Sequence, residues 1–283
     1  MKKNQLISVY DDIDWQLLWQ QSRSAKSWKS KDAKDWDKKA RAFAGRTRES
    51  PYVGLFLSQI KLHPELSVLD VGCGPGTLAL PIATQVRRVT AIDYSQGMLD
   101  LLNREAATQE IKNVSTVYCG WEDEWSEFGV EPHDVVIASR SMNIPDLSGA
   151  LQKLGRYATS TIHVVERIAP SPFDPNAFAA LGREFKSGPD YIYTVNMLYQ
   201  LGIHPRISKI ELARDQQFAS LEAAVEGYAW MFRDLQSDER QMLEKYIKKR
   251  IVKKDDDHLI VRRDHVQRWA LLSWSVEDLP SGR

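Results

Sequence analysis

Val68-Leu69-Asp70-Val71-Gly72-Cys73-Gly74-Pro75-Gly76-Thr77 joins an apolar run to a glycine-rich turn and opens onto a helical pattern. Val68 to Val71 suit a buried parallel strand, and the glycines let the backbone turn sharply and come within contact distance of a ligand. Leu78-Ala79-Leu80 and Ile82-Ala83 continue as a helix whose first N–H groups face that ligand. The stretch therefore predicts a strand, turn and helix that build a nucleotide-cofactor site.

The spacing Gly72-x-Gly74-x-Gly76 puts Thr77 where a nicotinamide fingerprint wants its last small residue. Asp70 sets a carboxylate at the strand end, where a pyrophosphate would approach. A carboxylate there repels phosphate and suits a cationic amine, such as the amino-acid tail of S-adenosylmethionine. A second apolar run, Val89-Thr90-Ala91-Ile92, ends at Asp93. That acid stands about 20 residues beyond Asp70, the distance at which a ribose-binding acid belongs.

On the glycine-rich motif, on Ala91-Ile92-Asp93-Tyr94-Ser95-Gln96-Gly97-Met98-Leu99 and on the later strands, the chain resembles the class I S-adenosylmethionine-dependent methyltransferases over roughly residues 40 to 215. The resemblance implies a Rossmann-like fold and a cofactor site formed by Asp70, Gly72, Cys73, Gly74, Asp93, Tyr94, Met98, Trp121, Glu122 and Ser139. In the segment Val117-Tyr118-Cys119-Gly120-Trp121-Glu122-Asp123, where the family grips adenine, Gly120 stands in place of the usual acid. Glu122 or Asp123 could take over that contact, and Trp121 either covers the ring or packs beneath it.

At 283 residues and 43% apolar content the chain is long enough for one enzyme domain with a full core and helical additions. Thirty-eight basic residues balance 38 acidic ones, so no global bias toward nucleic acid or an anionic membrane exists. Cys73 and Cys119 are too few for a disulfide framework, so a reducing cytoplasm is the expected setting. Lys2 and Lys3 precede no long apolar stretch, and charged residues interrupt every later one, so neither a secretion signal nor a membrane partner is expected. His163, Glu166 and His204 lack metal-ligand spacing, and no metal is expected.

The pattern predicts an α/β fold with a doubly wound, mostly parallel seven-stranded sheet and helices on both faces. Strands are expected near 67–71, 89–93, 114–118, 134–139, 161–166, 207–212 and 267–274. The expected organisation is a helical N-terminal cap over 1–60, a cofactor-binding core over 61–214, a helical insertion over 215–265 and the last core strand with a tail over 266–283. Within the cap, Trp15 and Trp19, and Trp36, Ala40 and Phe43, stand at helical spacing. Between Arg23 and Arg48 ten basic residues face three acidic ones, which reads as an amphipathic helix with a solvated lysine face or as a lid that attracts an anion. Helices are expected over 221–232 and 238–251, and the basic residues from Lys245 to Lys254 suit a helix C-terminus without any RNA partner.

Ala138 to Asp146 forms a loop at the functional edge of the sheet. Arg140 there is expected to hold an anionic group of the acceptor, unless it pairs with Asp146. Tyr191 and Tyr193 are expected to line the acceptor pocket or to pack. No catalytic residue is assigned. These readings predict methyl transfer to an N, O, S or C atom of a small molecule by in-line displacement; a tRNA or protein methyltransferase and a non-catalytic S-adenosylmethionine-binding module are the alternatives. Asp93→Ala is expected to remove most affinity for S-adenosylmethionine and S-adenosylhomocysteine in a folded protein, as read by calorimetric titration with NAD as the control.

Overall fold

The computed structural model describes residues 10, 12–28, 32–37, 50–255 and 257–279. Seven strands form one sheet: β1 (Ser67–Val71), β2 (Arg88–Asp93), β3 (Val114–Tyr118), β4 (His133–Ser139), β5 (Ala158–Arg167), β6 (Arg206–Glu211) and β10 (Arg268–Ser275). Their order is β3-β2-β1-β4-β5-β10-β6. β10 runs antiparallel between β5 and β6, and the pairs among β1 to β5 are parallel. The doubly wound, mostly parallel sheet expected from the sequence is the observed one.

β1 is buried at all five positions, as a central strand covered on both faces must be. Alternate side chains divide between two hydrophobic layers: Leu69, Ile92 and Val136 enter one, Val68, Val89 and Val135 the other. The winding reverses at β1, which has β2 on one side and β4 on the other, so a crevice opens beyond their carboxyl ends.

The crossover helices carry their own start signals. α1 (Trp15–Ala25), α2 (Tyr52–Leu57) and α3 (Ala79–Ala83) precede α4 (Gln96–Thr108), whose N-cap Ser95 accepts from Met98 N–H. α5 (Leu147–Tyr157) starts at Asp146, which accepts from Gly149 N–H, and buries Leu147, Leu151 and Leu154 on one face. α6 (Pro175–Ala180) and α7 (Tyr191–Gln200) are capped by Asp174 and Asp190. Residues 33–37 are also helical, whereas Ala40 and Phe43 lie outside the described residues.

α1 clamps the loop that follows β4. Gln16 Oε1 accepts from Leu147 and Ser148 N–H at 3.1 and 3.2 Å, and its amide donates to Pro145 O. Trp19 is buried and donates its indole N–H to Ile144 O at 2.8 Å.

The segment between β6 and β10 differs from the purely helical insertion expected. It contains α8 (Leu221–Ala229) and α9 (Ser237–Lys248), but also a three-stranded antiparallel sheet of β7 (Asp215–Phe218), β9 (Leu259–Arg262) and β8 (Ile251–Lys254). The helix expected to run to residue 251 stops at Lys248, since the β-branched Ile251, with Lys253 and Lys254 after it, pairs with β9 instead. Asp255 accepts from the N–H groups of Asp257 and His258 and so forms the turn of the hairpin. Lys245 and Lys248 fall in the last turn of α9, while Lys253 and Lys254 are strand residues. No helix of the described residues is long and apolar enough to cross a membrane.

Trp19→Ala is expected to cost about 3 kcal/mol or more, the usual range for deleting a buried aromatic side chain. Denaturant unfolding checks the cost, and hydrogen exchange should show faster opening of α1 and of residues 140–146.

Candidate active site

A single cavity of about 1760 Å³ runs from the glycine loop across the carboxyl ends of β1, β2, β4 and β5 to the inserted segment. Asp70, Gly72, Cys73, Gly74, Asp93, Tyr94, Met98, Trp121, Glu122, Ser139 and Arg140 all line it, so the residues singled out in the sequence meet in one place. Tyr191 and Tyr193 are corrections: neither lines it. They belong to α7, which packs on α1, and the Tyr193 ring meets Trp15 and Trp19 edge-on at 6.3 and 6.0 Å. Aromatic rings on a helix at the protein's flank found apolar partners there.

The glycine loop is tied to β2 from below. Gly72 and Cys73 N–H both donate to Ile92 O, at 2.8 and 3.0 Å, and Gly74 N–H donates to Asp93 Oδ2 at 2.8 Å. The other oxygen of Asp93 accepts from Ser95 N–H at 2.9 Å. Gly72 has φ +70°, and a Cβ there would lie 2.4 Å from Ser141 Cβ. Glycine is thus required by the backbone and by the loop after β4, where Ser141 Oγ donates to Val71 O at 2.7 Å.

Asp70 carries the ligand signature. It is 2% exposed, and its Oδ2 is buried with no hydrogen-bond partner. Burial first, and then the nearby charge of Asp93, pushes its carboxyl up to about 7. An acceptor atom left without a donor at the wall of a cavity fits a ligand that brings its own N–H groups. The donor set therefore suits S-adenosylmethionine: an orphaned carboxylate for an ammonium, a glycine loop that permits close approach, and acids where a pyrophosphate would be repelled. Cys73 is buried, and burial holds its thiol well above the usual range, so it stays a neutral wall residue.

The segment Gly120 to Asp123 is held by its own contacts. Asp123 accepts from Gly120 N–H at 2.7 Å, and Gly120 O accepts from the Trp125 indole at 2.7 Å. Trp121 both lines the cavity and packs on Trp125, with ring centroids 5.5 Å apart. Lys153 donates to Trp121 O at 3.1 Å and to Asp123 O, which anchors the loop to α5.

Arg140 has φ +60°, a left-handed conformation that costs a non-glycine residue energy and concentrates at functional sites. Its guanidinium lies 4.0 Å from the Tyr52 ring centroid and 5.8 Å from that of Trp269. Tyr52 in turn shares a 2.6 Å hydrogen bond with the Ser139 hydroxyl. Asp146 is occupied as the cap of α5, and among the described residues no ion pair joins it to Arg140.

Several features were not legible in the sequence. The segment 32–37 closes over the cofactor strands, where Asp37 Oδ1 accepts from Ser95 Oγ at 2.6 Å and Gly97 N–H at 2.9 Å. Far from the glycine loop, the cavity has an aromatic wall in which Trp28 meets Phe173 at 5.1 Å and Phe173 meets Trp230 at 5.5 Å. Arg167 lies 4.9 Å from the Trp28 ring and donates through Nε to Pro189 O at 2.7 Å, while its Nη1 is buried without a partner. Lys26, Arg23 and Arg167 crowd the same end; burial and the other two cations bring Lys26 down to about 8. No local pattern announces a wall assembled from residues as far apart as 28, 173 and 230.

A methyltransferase-domain family profile matches residues 68–160. The chain is 33% identical over 278 residues to an uncharacterized protein of Haemophilus influenzae, covering 96% of this chain and 99% of that one. It is 33% identical over 123 residues, 42% of this chain and 54% of the relative, to the aklanonic acid methyltransferase DauC of a Streptomyces species. A solved Bacillus halodurans structure assigned to the methyltransferases shares the fold, with a TM-score of 0.55 at 17% identity over 80% of this chain and 98% of the other. The chain belongs to the class I S-adenosylmethionine-dependent methyltransferases, and S-adenosylmethionine is its methyl donor.

The raised carboxyl of Asp70 has a defined consequence for stability. Its folded value near 7 lies above the 3.8 of a free carboxyl, so folding binds a proton between those limits and stability falls as pH rises through them. The Asp70→Asn variant is expected to gain on the wild type by about 4 kcal/mol between pH 4 and pH 8 while losing S-adenosylmethionine affinity. Denaturant melts without ligand, alongside calorimetric titration, check both.

Proposed function

We propose that the protein transfers a methyl group to a small-molecule acceptor with a planar, aromatic body and an anionic group. The reading rests on the two-ended cavity: acids and the glycine loop at one end, Trp28, Phe173, Trp230 and the cations Arg23 and Arg167 at the other. A ligand pocket for one drug-sized molecule occupies roughly 300–1,000 Å³, so about 1760 Å³ accommodates a cofactor and a second small molecule together. DauC takes its name from an acid, aklanonic acid, and this supports an acidic acceptor here.

When bound, S-adenosylmethionine supplies a methyl group already activated by the sulfonium. The chain's part is to bind, align and exclude water. Asp70 would hold the ammonium of the donor, and Asp93, Tyr94, Met98, Trp121 and Glu122 would surround its ribose and adenine. Arg140 and Arg167 would fix the acceptor's anionic group, the second through its unpartnered Nη1. Two anchored ends align the acceptor atom with the S–methyl bond, and alignment of that kind can supply most of the catalysis.

Residues 1–60 act in this reading as a cap and residues 215–265 as the outer wall, in a protein of the cytoplasm. Arg140→Ala is expected to raise the KM for the acceptor about tenfold or more, the loss of one charge-assisted hydrogen bond, with the affinity for S-adenosylhomocysteine unchanged. Transfer of labelled methyl groups into a metabolite extract and into total RNA checks the class: label confined to RNA, with affinity falling steeply in salt, overturns it.

A further inference from the structure

Glu166 stands near the end of β5, beside Arg167 and one residue beyond Val165, whose carbonyl receives Arg140 N–H at 2.9 Å. It is 8% exposed and lines the cavity between the cofactor end and the aromatic wall. Its Oε1 is buried with no hydrogen-bond partner. A second carboxylate with an orphaned oxygen therefore belongs to the lining of the same cavity as Asp70. β1 and β5 lie on opposite sides of β4, so the two acids stand at different strand ends.

The surroundings keep this carboxylate available. Arg167 directs Nε and Nη2 to Pro189 O, and its charge and its backbone N–H favour the ionised form of Glu166 without occupying Oε1. Asp190, at the start of α7, adds negative charge. Across the sheet its β10 partner is the neutral Ala270, and on the β4 side Arg140 is stacked on Tyr52. Burial is the main influence and brings the Glu166 carboxyl up to about 7. A base with that value is half ionised at neutral pH and strong enough to accept a proton from a hydroxyl.

We propose that Glu166 is the proton acceptor of the reaction and that the atom methylated is a hydroxyl oxygen of the acceptor. The inference rests on the small-molecule reading above. In the step, the acceptor O–H bond breaks and its proton passes to Glu166 Oε1. The freed oxygen electron pair forms the bond to the methyl carbon, and the carbon–sulfur bond breaks with its electrons kept by sulfur, which cancels the sulfonium charge. An ammonium acceptor would also find a carboxylate here, but the cations Arg23, Lys26 and Arg167 at this end disfavour it. The aromatic wall suits a phenolic hydroxyl.

The test uses the full chain with labelled S-adenosylmethionine and a metabolite extract, the products being sorted by mass spectrometry and NMR into O-, N-, S- and C-methyl compounds. The expected product is a methyl ether. With that purified acceptor, Glu166→Gln should lower kcat about 100-fold or more, Glu166→Asp should retain part of it, and KM should change little. Wild-type kcat should rise with pH through about 7, and that rise should vanish in Glu166→Gln. Calorimetric titration of Glu166→Gln with S-adenosylhomocysteine should match the wild type and show that the variant is folded. A methyl ester, an N-, S- or C-methyl product, or a methyl ether formed equally well by Glu166→Gln, overturns the proposal and leaves the small-molecule reading standing. Wild-type protein that binds S-adenosylhomocysteine yet methylates nothing in the extract overturns both.

Discussion

The Asp93 carboxylate carries the geometry of the site. Its two oxygens accept from Gly74 and Ser95 N–H, and Ile92 O just before it takes the N–H groups of Gly72 and Cys73. The end of β2 thereby sets the path of the glycine loop after β1 and, through the Ser95 cap, the start of α4. Burial disfavours the charge on Asp93, while the backbone bonds it accepts favour it. One acidic group thus joins two strand ends and a helix start at the wall of the cavity.

Around this joint the protein stacks three clamps of different chemistry. Gln16 and Trp19 of α1 bind the loop after β4 through hydrogen bonds to backbone carbonyls and amides. Asp37 binds the N-terminus of α4, where exposed N–H groups and the helix dipole favour an anion. The inserted segment packs Tyr228, Leu243 and Val261 with Phe178 of α6 in a separate apolar core, and its Trp230 lines the cavity. The site is therefore closed by segments distant in sequence, which lets cofactor and acceptor ends differ in character.

That difference is electrostatic. At the cofactor end Asp70 and Asp93 are buried acids, and the charge of Asp93 helps to raise the carboxyl of Asp70. At the other, Arg23, Lys26 and Arg167 are cations close enough to lower Lys26. Like charges gathered in a shielded cavity are costly without a ligand of opposite charge, because the low-dielectric surroundings strengthen their repulsion. Such an arrangement sorts a cationic donor from an anionic acceptor by position.

The strands from β1 to β5, their order of appearance and the meeting of the residues singled out between Asp70 and Ser139 at one cavity were legible in the sequence, since each depends on local signals: buried apolar runs, glycine spacing and acids at strand ends. The short strands β7, β8 and β9 were not, because four-residue strands beside helices look like part of them until they pair. Tyr191 and Tyr193 looked like pocket residues because aromatic type does not encode direction; only the packing of α7 on α1 turned them away. Glu166 reads in the sequence as one more charged residue, at the end of the fifth strand. The tertiary structure alone left its Oε1 without a donor, buried it and set it in the lining of the cavity, because burial and unmet hydrogen bonding belong to neighbours that the chain brings together only by folding.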